Sequence, residues 1–167
     1  SWLLPQKLDR SEVGFYLSSC EKAGFNVVQV QTMNGVPATN LYGESSLPDG
    51  FNFKNVEKDK RAASYWGNMD YIIKTAENHG IYVGMVCIWG GLVKHGMMNV
   101  EQARAYGRFL ANRYKNSPNI VWIIGGDIRG DVKPEVWTAL AETIKSIDKN
   151  HLMTFHPFGR TLSAVWW

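Results

Sequence analysis

The chain has 167 residues, 45% hydrophobic and 20% charged, the balance of one globular domain with a core of its own. Its net charge of +3 is spread along the sequence with no block of Lys or Arg, so no nucleic-acid surface is expected. The apolar runs are far too short for a membrane span, and the two cysteines, Cys20 and Cys87, have the spacing of neither a disulfide framework nor a zinc site.

Ser1–Gln6 reads as the tail of a preceding element, with an apolar Trp2-Leu3-Leu4-Pro5. A first helix is expected from Asp9 or Ser11, with Val13, Tyr16, Leu17 and Cys20 on one face and Gly24 as its left-handed stop. Asn26–Gln31 reads as a strand. The stretch from Thr32 to about Lys58 has weak periodicity and carries Gly35, Pro37, Gly43, Pro48 and Gly50. It reads as a loop over a binding cleft, or as a plain surface insertion. A second helix is expected over about Asp59–His79, then a strand over Ile81–Ile88 that runs into Trp89-Gly90-Gly91. Asn99 is a good N-cap for a helix through Tyr114, with Ala103, Tyr106, Leu110 and Tyr114 on one stripe.

Ile120-Val121-Trp122-Ile123-Ile124 is an unbroken apolar run rich in β-branched residues, as expected of a parallel strand covered on both faces. Gly125 and Gly126 free the backbone to turn and let another group come close. The strand is expected to stop at Asp127. Asp131 reads as the cap of a fourth helix starting near Pro134, whose inner face is Trp137, Leu140, Ala141, Ile144 and Ile147. Leu152–Phe155 is a further strand ending in His156-Pro157, and Ala164–Trp167 is the expected start of another.

Strands alternating with helices require a parallel sheet with right-handed crossovers, either part of an eight-stranded barrel or an open doubly wound sheet. No glycine fingerprint for dinucleotides or phosphates occurs at a strand-to-helix turn, which disfavours nucleotide binding. Gln29 and Gln31, Trp89, Asp127 and His156 fall at the same end of four successive strands, the end where a barrel enzyme keeps its chemistry. The expected fold is therefore α/β, a (β/α) TIM-type barrel in incomplete portion, about strands 2–5 plus flanks, with residues 1–167 as one partial catalytic domain.

A carboxylate at a barrel strand end suits acid/base work on an acetal or ester. Glycoside hydrolysis uses two carboxylates, one protonating the leaving oxygen and one attacking carbon or activating water. Asp127 is the candidate proton donor, given burial or a like charge to hold its proton. No second carboxylate is found at another strand end. Aromatic faces stack on sugars, so Trp2 and Trp89 are candidate substrate-binding residues, with Gln31, Asn34 and His156 as polar partners; for each, core packing or a turn role is the competing reading. Arg160 could bind a carboxylated sugar, or be a solvated loop residue. The four histidines lack metal-ligand spacing, and neither metal nor cofactor is expected.

Asn119-Ile120-Val121-Trp122-Ile123-Ile124-Gly125-Gly126-Asp127 resembles the signature of the apiosidase-like glycoside hydrolases of Bacteroidetes and other gut and soil bacteria. Gly24–Gln29, His79–Gly84 and His151–Pro157 support the likeness, and Trp2 matches the Trp that ends the family's first strand. The resemblance covers nearly the whole chain. It implies a barrel catalytic domain, periplasmic or extracellular, acting on pectin or hemicellulose side chains of plant cell walls, with Asp127 as general acid/base. The family's nucleophile is a carboxylate at a late strand, and this chain stops near the sixth. A missing barrel half or a partner chain is thus expected. A non-catalytic carbohydrate-binding module is the alternative, and a phosphate-binding open sheet a weaker third.

Overall fold

The computed structural model describes residues 2–59, 61–160 and 162–165. Helix α1 spans Leu4–Lys7 and α2 Arg10–Lys22, and strand β1 spans Val27–Gln31. Strand β2 is Pro48–Phe51, followed by α3 Lys54–Lys58, α4 Tyr65–Asn78 and β3 Tyr82–Val86. Then come α5 Gly90–Lys94, α6 Val100–Tyr114, β4 Ile120–Ile128, α7 Pro134–Ile147, β5 Met153–Pro157 and a 3-10 turn at Ser163–Val165. The last strand expected over 164–167 is instead a 3-10 turn as far as Val165, and its final two residues lie outside the described ones.

Helix starts follow local chemistry. Asp9 and Glu12 close a reciprocal capping box on α2, and Asn99 and Gln102 do the same for α6. Ser64 caps α4, accepting from the Gly67 N–H, so this helix begins later than the apolar pattern implied. The expected cap of α7 is absent. Asp131 pairs instead with Arg129 at 2.6 Å, and Lys133, in a left-handed conformation, takes the N-cap position. The ion pair holds the carboxylate away from the helix amides, and Pro134 needs no cap for its missing N–H.

β1, β3, β4 and β5 pair in that order, all parallel. Spatial order follows chain order with no reversal, which is barrel winding; a doubly wound sheet would reverse at a switch point. The chain is thus a segment of a (β/α) barrel. Register sets two faces. Val30, Met85 and Trp122 share a row, and all are 0% exposed beneath the helices. Ile124 and Phe155 extend that face. Gln31, Val86, Ile123 and Thr154 form a row on the other face. In this segment Ile120, Trp122 and Ile124 are buried beneath the helices, and Val121 and Ile123, on the face toward the barrel interior, are partly exposed.

The 32–58 stretch is packed rather than open. Phe53 is buried and stacks on Phe109 of α6 with centroids 4.3 Å apart. Asn40 is buried too, accepting from the N–H groups of Tyr42 and Glu44 and donating to the Ala63 carbonyl. At the carboxyl ends of β1 and β3, the Tyr106 hydroxyl donates to the Cys87 carbonyl at 2.9 Å and contacts the Thr32 hydroxyl. Tyr65 donates to the Thr32 carbonyl. These bonds tie the floor of the barrel mouth to α4 and α6.

Candidate active site

β4 does not end at Asp127. Gly125 pairs with His156 and Ile128 with Pro157, so Gly126 and Asp127 are looped out of a ladder that resumes beyond them. Gly125, Gly126 and Asp127 have φ of +90°, +133° and +47°. The first two favour glycine by conformation and by space alike. A Cβ on Gly126 would meet the Trp89 ring at 2.5 Å, and one on Gly125 would meet the His156 carbonyl oxygen at 2.7 Å. The group that the glycines admit is therefore the indole of Trp89. Gly90 completes the close packing, since a Cβ there would lie 2.4 Å from the Gly126 carbonyl oxygen.

The backbone N–H of Gln31 donates to the Trp2 carbonyl at 2.9 Å, which fixes the N-terminal segment beside the end of β1. Trp2 then meets Trp89 edge-on, with centroids 5.0 Å apart. Trp2, Leu3, Gln31, Trp89 and Asp127 line a hollow of about 380 Å³, within the range of small-ligand sites. His156 adjoins it, its ring 5.9 Å from Trp2 and 5.6 Å from Trp89. The Asp127 side chain is 59% exposed, and His156 Nδ1 lies 3.7 Å from its Oδ1.

Of the sequence candidates, Trp2, Gln31, Trp89, Asp127 and His156 come together at one rim. Asn34 does not: it is exposed in the segment after β1 and takes no part in the lining. Sequence reasoning missed Leu3, which no periodicity marks, and the packing role of Gly90. Cys87 lies under the mouth, but burial pushes its thiol up to about 12, which keeps it protonated and unreactive. Among the described residues no group of three or more His, Cys, Asp or Glu is placed to hold a metal ion. Asp127 is the one carboxylate among the described residues that line the hollow.

The winding defines a barrel segment with aromatic and acidic residues at its carboxyl rim. The model of the apiosidase-like catalytic domain matches residues 1–167, and the chain belongs to that family. A glycoside hydrolase family 5 crystal structure from Bacteroides vulgatus is 61% identical with a TM-score of 0.96, over 99% of this chain and 36% of that one. A second structure, described as a glycoside hydrolase, matches at 61% identity and TM-score 0.96 over 99% of this chain and 37% of its own. The chain thus spans little more than a third of these relatives. An endo-β-1,4-mannanase from Thermotoga petrophila superposes at TM-score 0.67 with 18% identity, over 93% of this chain and 41% of that one, and shows likeness of fold alone. Among curated proteins, none matches the chain. No helix among the described residues is long and apolar enough to cross a membrane.

Proposed function

We propose that the chain is part of the catalytic domain of a glycoside hydrolase, with Asp127 as its general acid/base. The observation that carries this reading is the hollow in which an Asp127 carboxylate, two indoles and the buried Gln31 converge at the carboxyl rim of a barrel sheet. A sugar lying against Trp2 or Trp89 presents its glycosidic oxygen to Asp127. The carboxyl protonates that oxygen as the bond breaks, and as carboxylate it later takes a proton from the incoming water. The second carboxylate of the pair comes from elsewhere in the full-length protein. The substrates are side chains of plant cell-wall polysaccharide, of pectin or hemicellulose type, and the enzyme works in the periplasm or outside the cell. Both assignments follow the family resemblance.

The test is Asp127→Asn in the full-length protein, assayed for released sugar on pectin and hemicellulose oligosaccharides. Hydrolysis is expected to fall about 100-fold or more. The loss shrinks on aryl glycosides whose leaving group needs no proton, and calorimetric binding is retained. Unchanged turnover would remove Asp127 from the reaction. Asp127, exposed and the one carboxylate among the described residues that line the hollow, also suits a non-catalytic sugar-binding module, which would bind the same oligosaccharides and release no product.

A further inference from the structure

Gln31 is a polar residue kept almost wholly from solvent, 8% exposed, whose side chain the fold does not use. Its backbone is committed: the N–H donates to the Trp2 carbonyl at 2.9 Å, and the carbonyl accepts from Gln6 Nε2 at 3.4 Å. Its side-chain amide enters none of the hydrogen bonds among the described residues. Register puts that side chain in the row with Val86, Ile123 and Thr154, on the face turned away from the helices, where it lines the hollow. Gln6, of the same type and 5% exposed, shows the contrasting use. Its Nε2 donates to the Gln31 and Thr32 carbonyls and to the Tyr65 hydroxyl, which ties α1 to the end of β1. Burying an amide without a partner costs stability, so an unpaired one that opens on a cavity points to a ligand.

Of the two indoles beside it, Trp2 is the freer, at 37% exposed. Trp89 has one face covered. A Cβ on Gly126 would stand 2.5 Å from its Cε3 and 2.9 and 3.0 Å from the adjoining Cδ2 and Cζ3, which puts that backbone over the six-membered ring. We infer that Gln31 is the specificity-determining residue of this rim: its amide clamps two adjacent hydroxyls of a sugar whose ring lies on Trp2, with Trp89 as the buttress behind. The inference rests on the hollow being the sugar site of a glycoside hydrolase. One hydroxyl accepts from the amide NH2 group and its neighbour donates to the amide oxygen. The backbone bond from Gln31 to Trp2 holds clamp and platform at one offset, so stacking sets the plane of the sugar and the amide sets its rotation within that plane. A stacking face takes most sugars. The amide discriminates against a sugar that lacks a hydroxyl at the clamp, because a buried donor or acceptor is then left unpaired.

The test is calorimetry on the full-length protein carrying Asp127→Asn, which keeps the ligand intact. The probes are the pectin and hemicellulose oligosaccharides of the turnover assay, and analogues that lack one hydroxyl at a time on the terminal side-chain sugar. D127N alone is expected to bind the parent about tenfold or more tighter than two of the analogues, those missing adjacent hydroxyls. Adding Gln31→Met, which is apolar and of like length, weakens the parent by about tenfold and brings those two analogues within about twofold of it. Adding Trp2→Ala weakens parent and analogues alike; an affinity unmoved there would overturn the platform. The urea midpoint of Q31M in the otherwise wild-type protein stays where it was or rises, because the amide holds nothing in the fold. A lower midpoint would assign Gln31 to structure and overturn the clamp, as would a parent affinity that Q31M leaves unmoved or a discrimination that survives in it. Oligosaccharide bound in this pattern yet left uncut by the wild type sinks the glycosidase reading instead and leaves the clamp standing.

Discussion

Two Asp–His pairs stand at opposite ends of the same sheet, and they are built differently. At the amino edge, Asp148 follows α7 and pairs with His151 at 2.6 Å, their side chains 1% and 13% exposed. Its Oδ2 also accepts the Trp122 indole N–H at 2.8 Å, and its Oδ1 accepts the backbone N–H groups of Asn150 and His151, each at 3.2 Å. Burial pushes this carboxyl upward, but the bonds from Trp122, His151 and Asn150 outweigh it, and Asp148 is held below the usual carboxylate range. At the carboxyl edge, Asp127 and His156 are 59% and 26% exposed and 3.7 Å apart. Asp148 has spent its acceptor capacity on its own fold. Asp127 has a contact too long for a hydrogen bond and keeps its oxygens available for a ligand. Saturation, rather than residue type, separates a pair locked into the fold from one whose oxygens are left to meet a ligand.

The strongest way to break the contrast is to remove each carboxylate in turn. Asp127→Asn should cut hydrolysis about 100-fold or more yet shift urea denaturation by less than about 0.5 kcal/mol. Asp148→Ala should do the reverse. It strands buried donors and costs about 3 kcal/mol in denaturation, with turnover per folded molecule within about twofold. Gly126→Ala sharpens the picture at the active end. Its Cβ collides with Trp89 in a conformation that suits glycine, so a loss of about 2 kcal/mol and a shift in tryptophan emission are expected. His151→Asn should cost about 1 kcal/mol in denaturation with turnover per folded molecule unchanged.

The gentlest test uses pH alone. Because the folded value of Asp148 is lowered, its contribution is complete above the unfolded value of about 3.9 and is lost as pH falls through the folded value. Denaturation midpoints measured on acidification should therefore fall for the wild type, and less steeply for Asp148→Ala.

The parts governed by neighbours in sequence were legible before any coordinates. Asn99, Gln102 and the stripe of Ala103, Tyr106, Leu110 and Tyr114 define α6 locally, and all four stripe residues are buried. The same holds for α7, where Trp137, Leu140, Ala141 and Ile144 are buried and Ile147, at the end of the expected row, is partly buried. What escaped was set by contacts distant in the chain. The 32–58 stretch holds β2 and α3, yet its anchor is Phe53 against Phe109, which no local period records. The apparent stop at Gly125-Gly126-Asp127 is a bulge only because β5 supplies pairing on both sides of it. Asn34 read as a cleft residue from its type alone, and nothing local could say that the chain leaves the rim there. Asp131 is the local exception: its type suits a cap, but Arg129, two residues away, takes its carboxylate.

Beyond Asp127 the ladder closes again: Ile128 pairs with Pro157, and the Phe158 N–H donates to the Ile128 carbonyl at 3.1 Å. The carboxylate therefore hangs between two stitched points instead of riding on the connection that follows. The turn from Arg129 to Lys133 can lengthen, shorten or change its charge without passing the disturbance back to Asp127. A lineage could in this way redraw the surrounding turns while the carboxylate at 127 keeps its address.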